Sequence, residues 1–156
     1  VTDIAYLQTT EDWLYLAVMI DLYSRKIVGW SMSKNIDSQL ICNALMMALW
    51  RRKFPQDVMV HSDRGSQYAS HVFRDLLKKY SLIQSMSRKS DCWDNTCAES
   101  FFHSVKVELI YGEPLLNGKQ TRESIFEYIE VDYNRCRRHN AIGFISPERF
   151  EARNVC

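Results

Sequence analysis

The chain has 156 residues, enough for one domain with a sizeable core. Hydrophobic residues make 46% and charged residues 25%, the balance of a globular protein rather than a disordered one, and the longest apolar run, residues 14–20, is too short to cross a bilayer. The formal net charge of +1 neither demands nor excludes nucleic acid, because a basic surface can be cancelled in the total by an acidic site.

Residues 1–7 alternate loosely and carry β-branched side chains, which predicts a strand with Asp3 inside it. Residues 9–12 form a turn, 13–21 a strongly apolar second strand, 22–26 a tight connection and 27–32 a third strand. Connections this short favour antiparallel neighbours, a three-strand meander. Asp37 starts a helix that continues to about residue 52, with Ile41, Ala44, Leu45, Ala48 and Leu49 at helical spacing. Pro55 precedes a fourth strand over 58–61. A helix over 67–80 carries Phe73, Leu76, Leu77 and Tyr80 on one side. Residues 82–86 read as a short fifth strand, and 87–94, polar and without apolar period, as a mobile loop. Asp94 or Asn95 then caps a helix over 96–111. The last helix runs over 121–137, with Ile125, Tyr128, Ile129, Asp132 and Tyr133 on one side. The tail, 139–150, reads as irregular, and Trp13, Trp30 and Trp50 are expected in the core. One α/β domain over 1–156 without a linker fits this order.

Cys42, Cys92, Cys97, Cys136 and Cys156 are odd in number and irregularly spaced. That pattern points to reduced thiols in a cytoplasmic protein. Cys92 and Cys97 lie near His103, but no second pair completes a zinc site. No charged leader precedes an apolar segment, so no signal peptide is expected, and a start at Val1 suggests a fragment.

Three carboxylates stand out. Asp63 ends strand four in His61-Ser62-Asp63-Arg64-Gly65-Ser66-Gln67-Tyr68, at the sheet edge where open α/β folds bind ligands. Its other available role is to cap the turn. Strand one can pair with strand four, which would bring Asp3 level with Asp63; position alone does not choose between Asp3 and Asp21. Glu99 lies in the first turn of the next helix and shares a face with His103 and Lys106, while Phe101, Phe102, Val105 and Leu109 supply the buried side. Asp94 and Glu108 are alternatives to Glu99; Glu108 is turned to the opposite face. Three carboxylates from three elements suit Mg²⁺, a hard ion that keeps positions for phosphate oxygens.

Thirty-five residues separate Asp63 from Glu99, the spacing of DDE transposases and retroviral integrases. Val-Thr-Asp-Ile-Ala-Tyr-Leu at 1–7, Ile-Asp-Leu-Tyr-Ser-Arg-Lys-Ile-Val-Gly-Trp at 20–30, the Asp63 stretch, Asp-Asn-Thr-Cys-Ala-Glu-Ser-Phe-Phe at 94–102, Tyr-Asn-Arg-Cys-Arg-Arg-His-Asn at 133–140 and Ser-Pro-Glu-Arg-Phe at 146–150 together resemble the OrfB-type transposases of bacterial insertion sequences. Their core is similar to that of retroviral integrases, and the resemblance covers essentially the whole chain. It implies an RNase H-like fold, a five-stranded mixed sheet flanked by helices. It implies a catalytic and metal-binding triad of Asp3, Asp63 and Glu99, with Asp21 not a ligand.

The resemblance further implies a metal-dependent polynucleotidyl transferase that cuts and joins DNA with two Mg²⁺ ions, Mn²⁺ substituting. Ions ~3.5–4 Å apart stabilise the entering and leaving oxygens at phosphorus. The implied partners are inverted-repeat element ends, target DNA and further copies of the chain when active. The family pattern has Thr where this chain has Ala5, which removes a hydroxyl and no ligand. It also carries an N-terminal DNA-binding region; without it, a near-neutral core is expected to bind DNA weakly and salt-sensitively. Candidate DNA contacts are Lys106, His103, Gln67, Arg135 and Arg138, the last two in a basic cluster with Arg137 and His139. A solvated helix face is the other role open to these side chains.

Overall fold

A computed structural model describes residues 1–88 and 95–154. The meander forms as the short connections require. β1 (Thr2–Gln8), β2 (Trp13–Ile20) and β3 (Ile27–Ser33) pair antiparallel in that order. Asp3 stands opposite Val18, which stands opposite Trp30. Thr9 closes the first turn: its N–H and hydroxyl both donate to the Asp12 carbonyl, at 3.0 and 2.6 Å.

β2 is apolar throughout, and beyond Trp13 both of its faces are covered. Leu14, Leu16, Val18 and Ile20 enter one core cluster with Ala98, Phe101, Phe102, Val105, Ile125 and Ile129. Ala17 and Met19 enter the other, with Leu40, Ile41, Ala44, Leu45, Phe73 and Leu77. The result is a sheet between two helical layers. On the second face lies α1 (Ser38–Arg51), capped by Asp37, whose carboxylate accepts from Leu40 N–H. α1 comes so close to β3 that a Cβ at Gly29 would lie 2.2 Å from the Ala44 carbonyl oxygen.

β4 (Met59–Ser62) and β5 (Ile83–Met86) run parallel, joined through α2 (His71–Lys79). They form a two-stranded sheet of their own. The expected single five-stranded sheet is therefore corrected to three strands plus two. β4 lies beside β1, but it has only four residues, and no backbone ladder joins the two among the described residues. A side-chain contact helps span the gap: Thr2 Oγ1 lies 3.3 Å from the Tyr68 hydroxyl. α2 also starts later than expected, because Ser70 caps it by accepting from Phe73 N–H and Tyr68 is buried ahead of it.

α3 (Thr96–Val105) continues as a π-helical segment, Lys106–Ile110. α4 (Gly118–Glu127) opens with a capping box between Asn117 and Gln120 and continues as a second π-helical segment, Tyr128–Cys136. Within the latter, buried Asn134 mimics a strand neighbour: its amide accepts from Ile27 N–H at 2.9 Å and donates to Ile27 C=O at 3.0 Å. Ile125, Tyr128, Ile129 and Tyr133 are buried as expected, while Asp132 is exposed.

The tail is not irregular throughout. α5 (Pro147–Asn154) forms there, starting with proline at the first helical position. It is held by Glu151, which accepts from Ser24 Oγ at 2.7 Å and pairs with Lys26 and Arg52. Two tryptophans also depart from expectation: Trp13 is 47% and Trp50 68% exposed. Trp50 stacks edge-on against Phe54 on the surface, and Trp30 donates to Glu130 at 2.8 Å. Of the expected mobile loop, 87–94, all but Ser87 and Arg88 lies outside the described residues. No helix among the described residues is long and apolar enough to cross a membrane.

Candidate active site

The alternation of β1 sets the direction of Asp3. Ala5 and Leu7 enter the cluster shared with α3, while Ile4 packs into the opposite one. With a period of two, Asp3 lies on the α3 side. It is half-buried, and its Oδ1 accepts from Ile4 N–H at 2.9 Å. Asp21, the sequence alternative, is engaged elsewhere: its carboxylate accepts from Arg52 at 3.0 Å and from Tyr23 N–H at 2.9 Å.

Asp63 follows β4 directly and is exposed. Its Oδ1 accepts from Gly65 N–H at 2.8 Å, which folds the turn back over the strand end. Glycine suits this turn because a Cβ at position 65 would sit 3.0 Å from Asp63 Oδ1 and 2.9 Å from Gln67 Oε1. The strand end is stapled from below. Buried Ser62 donates to the Asp63 carbonyl at 2.8 Å, and its own carbonyl accepts from Ser87 N–H at 2.9 Å. Arg64 Nε donates to Ser87 C=O at 2.8 Å. Tyr68 lies buried beneath, its hydroxyl made harder to ionise by burial first and then by the charges of Asp3 and Asp63.

Glu99 sits exposed in the first turn of α3. Ala98, Phe101, Phe102 and Val105 anchor the helix in the core, which leaves Glu99 and His103 on its open side. Burial raises the Asp3 carboxyl from its ordinary 3.8 to about 6. Asp63 and Glu99 push the same way by like charge, while Ile4 N–H and the Asn95 side chain favour the ionised form. Carboxylates from two further elements thus act on Asp3, although no three His, Cys, Asp or Glu side chains among the described residues already enclose an ion position.

Asn95 takes the N-cap position ahead of α3, one of the two residues expected there. Asn ahead of a helix reads as a cap, yet it makes no side-chain cap bond to α3. Its side chain favours the ionised form of Asp3, and its Oδ1 is buried without a hydrogen-bond partner among the described residues. Nothing in the sequence distinguishes the two uses. Asp94, the other cap candidate, lies outside the described residues.

The remaining candidates separate. Gln67 is half-buried with Oε1 against Gly65, beside Asp63. His103 is exposed, and Lys106 is half-buried where α3 turns π-helical. Glu108 pairs with Arg137 at 2.6 Å, which ties it to the second π-helical segment. Arg135 pairs with Glu148 at 3.3 Å on the α5 side. Arg138 is exposed and lines a different groove.

Residues 1–92 match the family described as Integrase core domain, and residues 99–155 match a second family of the same description. The chain is 56% identical over 153 residues to Transposase InsF for insertion sequence IS3A of Escherichia coli (strain K12), covering 98% of this chain and 53% of that protein. It is 40% identical over 152 residues to the Transposase for insertion sequence element IS904 of Lactococcus lactis subsp. lactis (strain IL1403), covering 97% and 60%. It thus spans little more than half the length of these relatives. In fold it is similar to the HTLV-2 integrase catalytic core domain solved in complex with magnesium, with a TM-score of 0.68 at 14% identity over 96% of this chain and 92% of that one. It is also similar to a chain of the simian T-cell lymphotropic virus intasome, with a TM-score of 0.77 at 14% identity over 96% and 52%. The architecture is that of retroviral integrase catalytic cores, and with most of its length matched, the chain belongs to the integrase core domain family.

Proposed function

We propose that this chain is the catalytic core of a DNA transposase, cutting DNA strands and joining them to new ones at a site made by Asp3, Asp63 and Glu99. The observation that carries the reading is placement: Asp3 lies on the α3 side of β1, Asp63 stands exposed at the end of β4, which lies beside β1, and Glu99 stands exposed in the first turn of α3. The charges of Asp63 and Glu99 add to burial in raising the Asp3 carboxyl. Three carboxylates from three elements offer an all-oxygen donor set, which suits Mg²⁺, or Mn²⁺ in its place. Two such ions would supply activation of the attacking oxygen and stabilisation of the leaving one. The chain's own contribution is placement. Asp3 rides on β1, and Asp63 is held by Gly65 N–H and the Ser62–Ser87 staple. No protein nucleophile is required, so Ser62 and Ser66 need no catalytic role.

Element ends and target DNA are the proposed substrates, and further copies of the chain the proposed partners, in the cytoplasm. Dimeric and trimeric forms of the HTLV-2 core are among the similar structures. A non-catalytic DNA-binding module is the competing reading, and the intact carboxylate set weighs against it. The test is nicking and joining of labelled element-end DNA in Mg²⁺ and in EDTA. The reading expects activity in Mg²⁺ only, lost in Asp63→Asn; activity that survives EDTA or that substitution refutes it.

A further inference from the structure

The basic segment after Tyr133 divides in the structure. Arg135 pairs with Glu148. Arg137 donates to Glu108, to Ser104 at 3.1 Å and to the Tyr128 hydroxyl at 3.2 Å. Those two guanidinium groups are committed to the fold. Arg138 forms no ion pair among the described residues, and it stands exposed on a groove of about 810 Å³. The β2–β3 turn contributes Arg25 to the same groove, α3 contributes Ser100 and Ser104, and the tail contributes His139 and Phe144. No carboxylate lines it among the described residues.

Phe144 is the unusual member. It is 68% exposed and held at φ +58°, a backbone conformation that a bulky side chain adopts at a cost. Hydrogen bonds fix it there: Phe144 N–H donates to the His139 carbonyl at 2.9 Å, and His139 N–H to the Ile145 carbonyl at 3.2 Å. Arg25 is likewise held at φ +64°, its N–H donating to the Asp21 carbonyl at 2.7 Å. His139 packs its ring edge-on against Tyr133, and its Nε2 is buried without a hydrogen-bond partner among the described residues. Burial, then the charges of Arg137 and Arg25, lowers its tendency to protonate. An exposed aromatic ring on a hydrogen-bonded turn, beside arginines that form no ion pair among the described residues, is the equipment that holds single-stranded nucleic acid: bases stack on the ring and phosphates meet the guanidinium groups. In a duplex the bases already stack on one another and offer no free face.

We propose that this groove binds an unpaired stretch of DNA, with one base stacked on Phe144 and the flanking phosphates on Arg138 and Arg25. The proposal rests on the reading of the chain as a DNA-cutting core and assigns a second subsite to it. The Ser100 and Ser104 stripe of α3 lies one position, about 100°, from the Glu99 and His103 stripe. A strand leaving the three carboxylates therefore has only to cross the helix to enter the groove.

The test is fluorescence anisotropy on the 156-residue chain in EDTA, with a labelled ten-nucleotide thymidine strand and a duplex of equal length. The wild type is expected to prefer the single strand. Phe144→Gly removes the ring while accepting the same backbone conformation, so the turn survives; it is expected to weaken single-strand binding about tenfold and leave duplex binding unchanged. Phe144→Tyr is expected to bind as wild type does. Arg138→Ala is expected to lower the salt dependence by one phosphate contact, a slope change of about 0.7. No preference for the single strand, or Phe144→Gly binding as tightly as wild type, overturns the proposal. Because EDTA removes metal chemistry from the assay, the two readings fail separately. A chain that cuts DNA yet ignores Phe144 defeats the groove alone; a chain that binds through Phe144 and never cuts defeats the catalytic reading alone.

Discussion

If Asp3 is kept ionised against burial and two neighbouring charges, then Asp3→Asn should make the metal-free protein more stable. The replacement is nearly isosteric, and its amide oxygen can still accept from Ile4 N–H, the bond now made at 2.9 Å. The folded carboxyl titrates at about 6 against an ordinary 3.8, and each pH unit is worth about 1.4 kcal/mol, so its ionisation costs the fold about 3 kcal/mol at most. Partial exposure screens this to roughly 1–2 kcal/mol, or a rise in Tm of about 3–6 °C for a chain of this size. The sign follows from linkage. A raised carboxyl lends wild type a stabilisation that is complete below pH 3.8 and lost as pH rises through about 6. The advantage of Asp3→Asn should therefore be near zero at pH 3.5 and full at pH 8. Thermal melts in EDTA at both pH values measure it. A variant less stable than wild type at pH 8, or a gain of equal size at pH 3.5, would refute the electrostatic reasoning. Added Mn²⁺ should raise the Tm of wild type and leave that of the variant unmoved.

Other outcomes follow from the same geometry. Glu99→Gln should abolish metal-dependent strand cleavage with its circular dichroism unchanged, whereas Glu108→Gln, which loosens only the exposed pair with Arg137, should keep its activity and lose no more than about 1 kcal/mol; cleavage by the first at the wild-type rate contradicts the assignment. Asn95→Ala removes a group that favours ionised Asp3, so the acid limb of the pH–rate profile should move to higher pH, and an unmoved limb counts against the Asn95 role. Gly29→Ala places a Cβ 2.2 Å from the Ala44 carbonyl oxygen and should cost about 3 kcal/mol in a denaturant titration; a cost near zero would mean that α1 can lift from β3.

Much of this was legible in the sequence, for identifiable reasons. The meander followed from apolar runs joined by connections too short for crossovers, and β2's unbroken apolar character from burial on both faces. Asp63 and Glu99 stand out as candidates from their motifs, and Asp3 is proposed over Asp21 only through the family resemblance; in the structure Arg52 pairs with Asp21. What stayed hidden depends on distant partners. The gap between β1 and β4 turns on backbone spacing that no residue pattern records. α5 is polar, and its hold comes from Glu151 meeting Arg52 and Lys26 from far along the chain. Trp13 and Trp50 were misplaced because hydrophobicity alone does not say which large side chain faces outward. The basic run looked like one cluster, yet ion pairs consume Arg135 and Arg137 and leave Arg138 to the groove.

The central claim is that Asp3, Asp63 and Glu99 jointly hold a divalent ion, and Mn²⁺ titration followed by electron paramagnetic resonance tests it most directly. It is to be run on the wild type, Asp63→Asn and Glu99→Gln, with and without a short DNA duplex to complete the ion's oxygen shell. The account predicts Mn²⁺ binding by the wild type, strengthened by DNA, and affinity at least about tenfold weaker in each variant. Equal affinity in wild type and Asp63→Asn would contradict it.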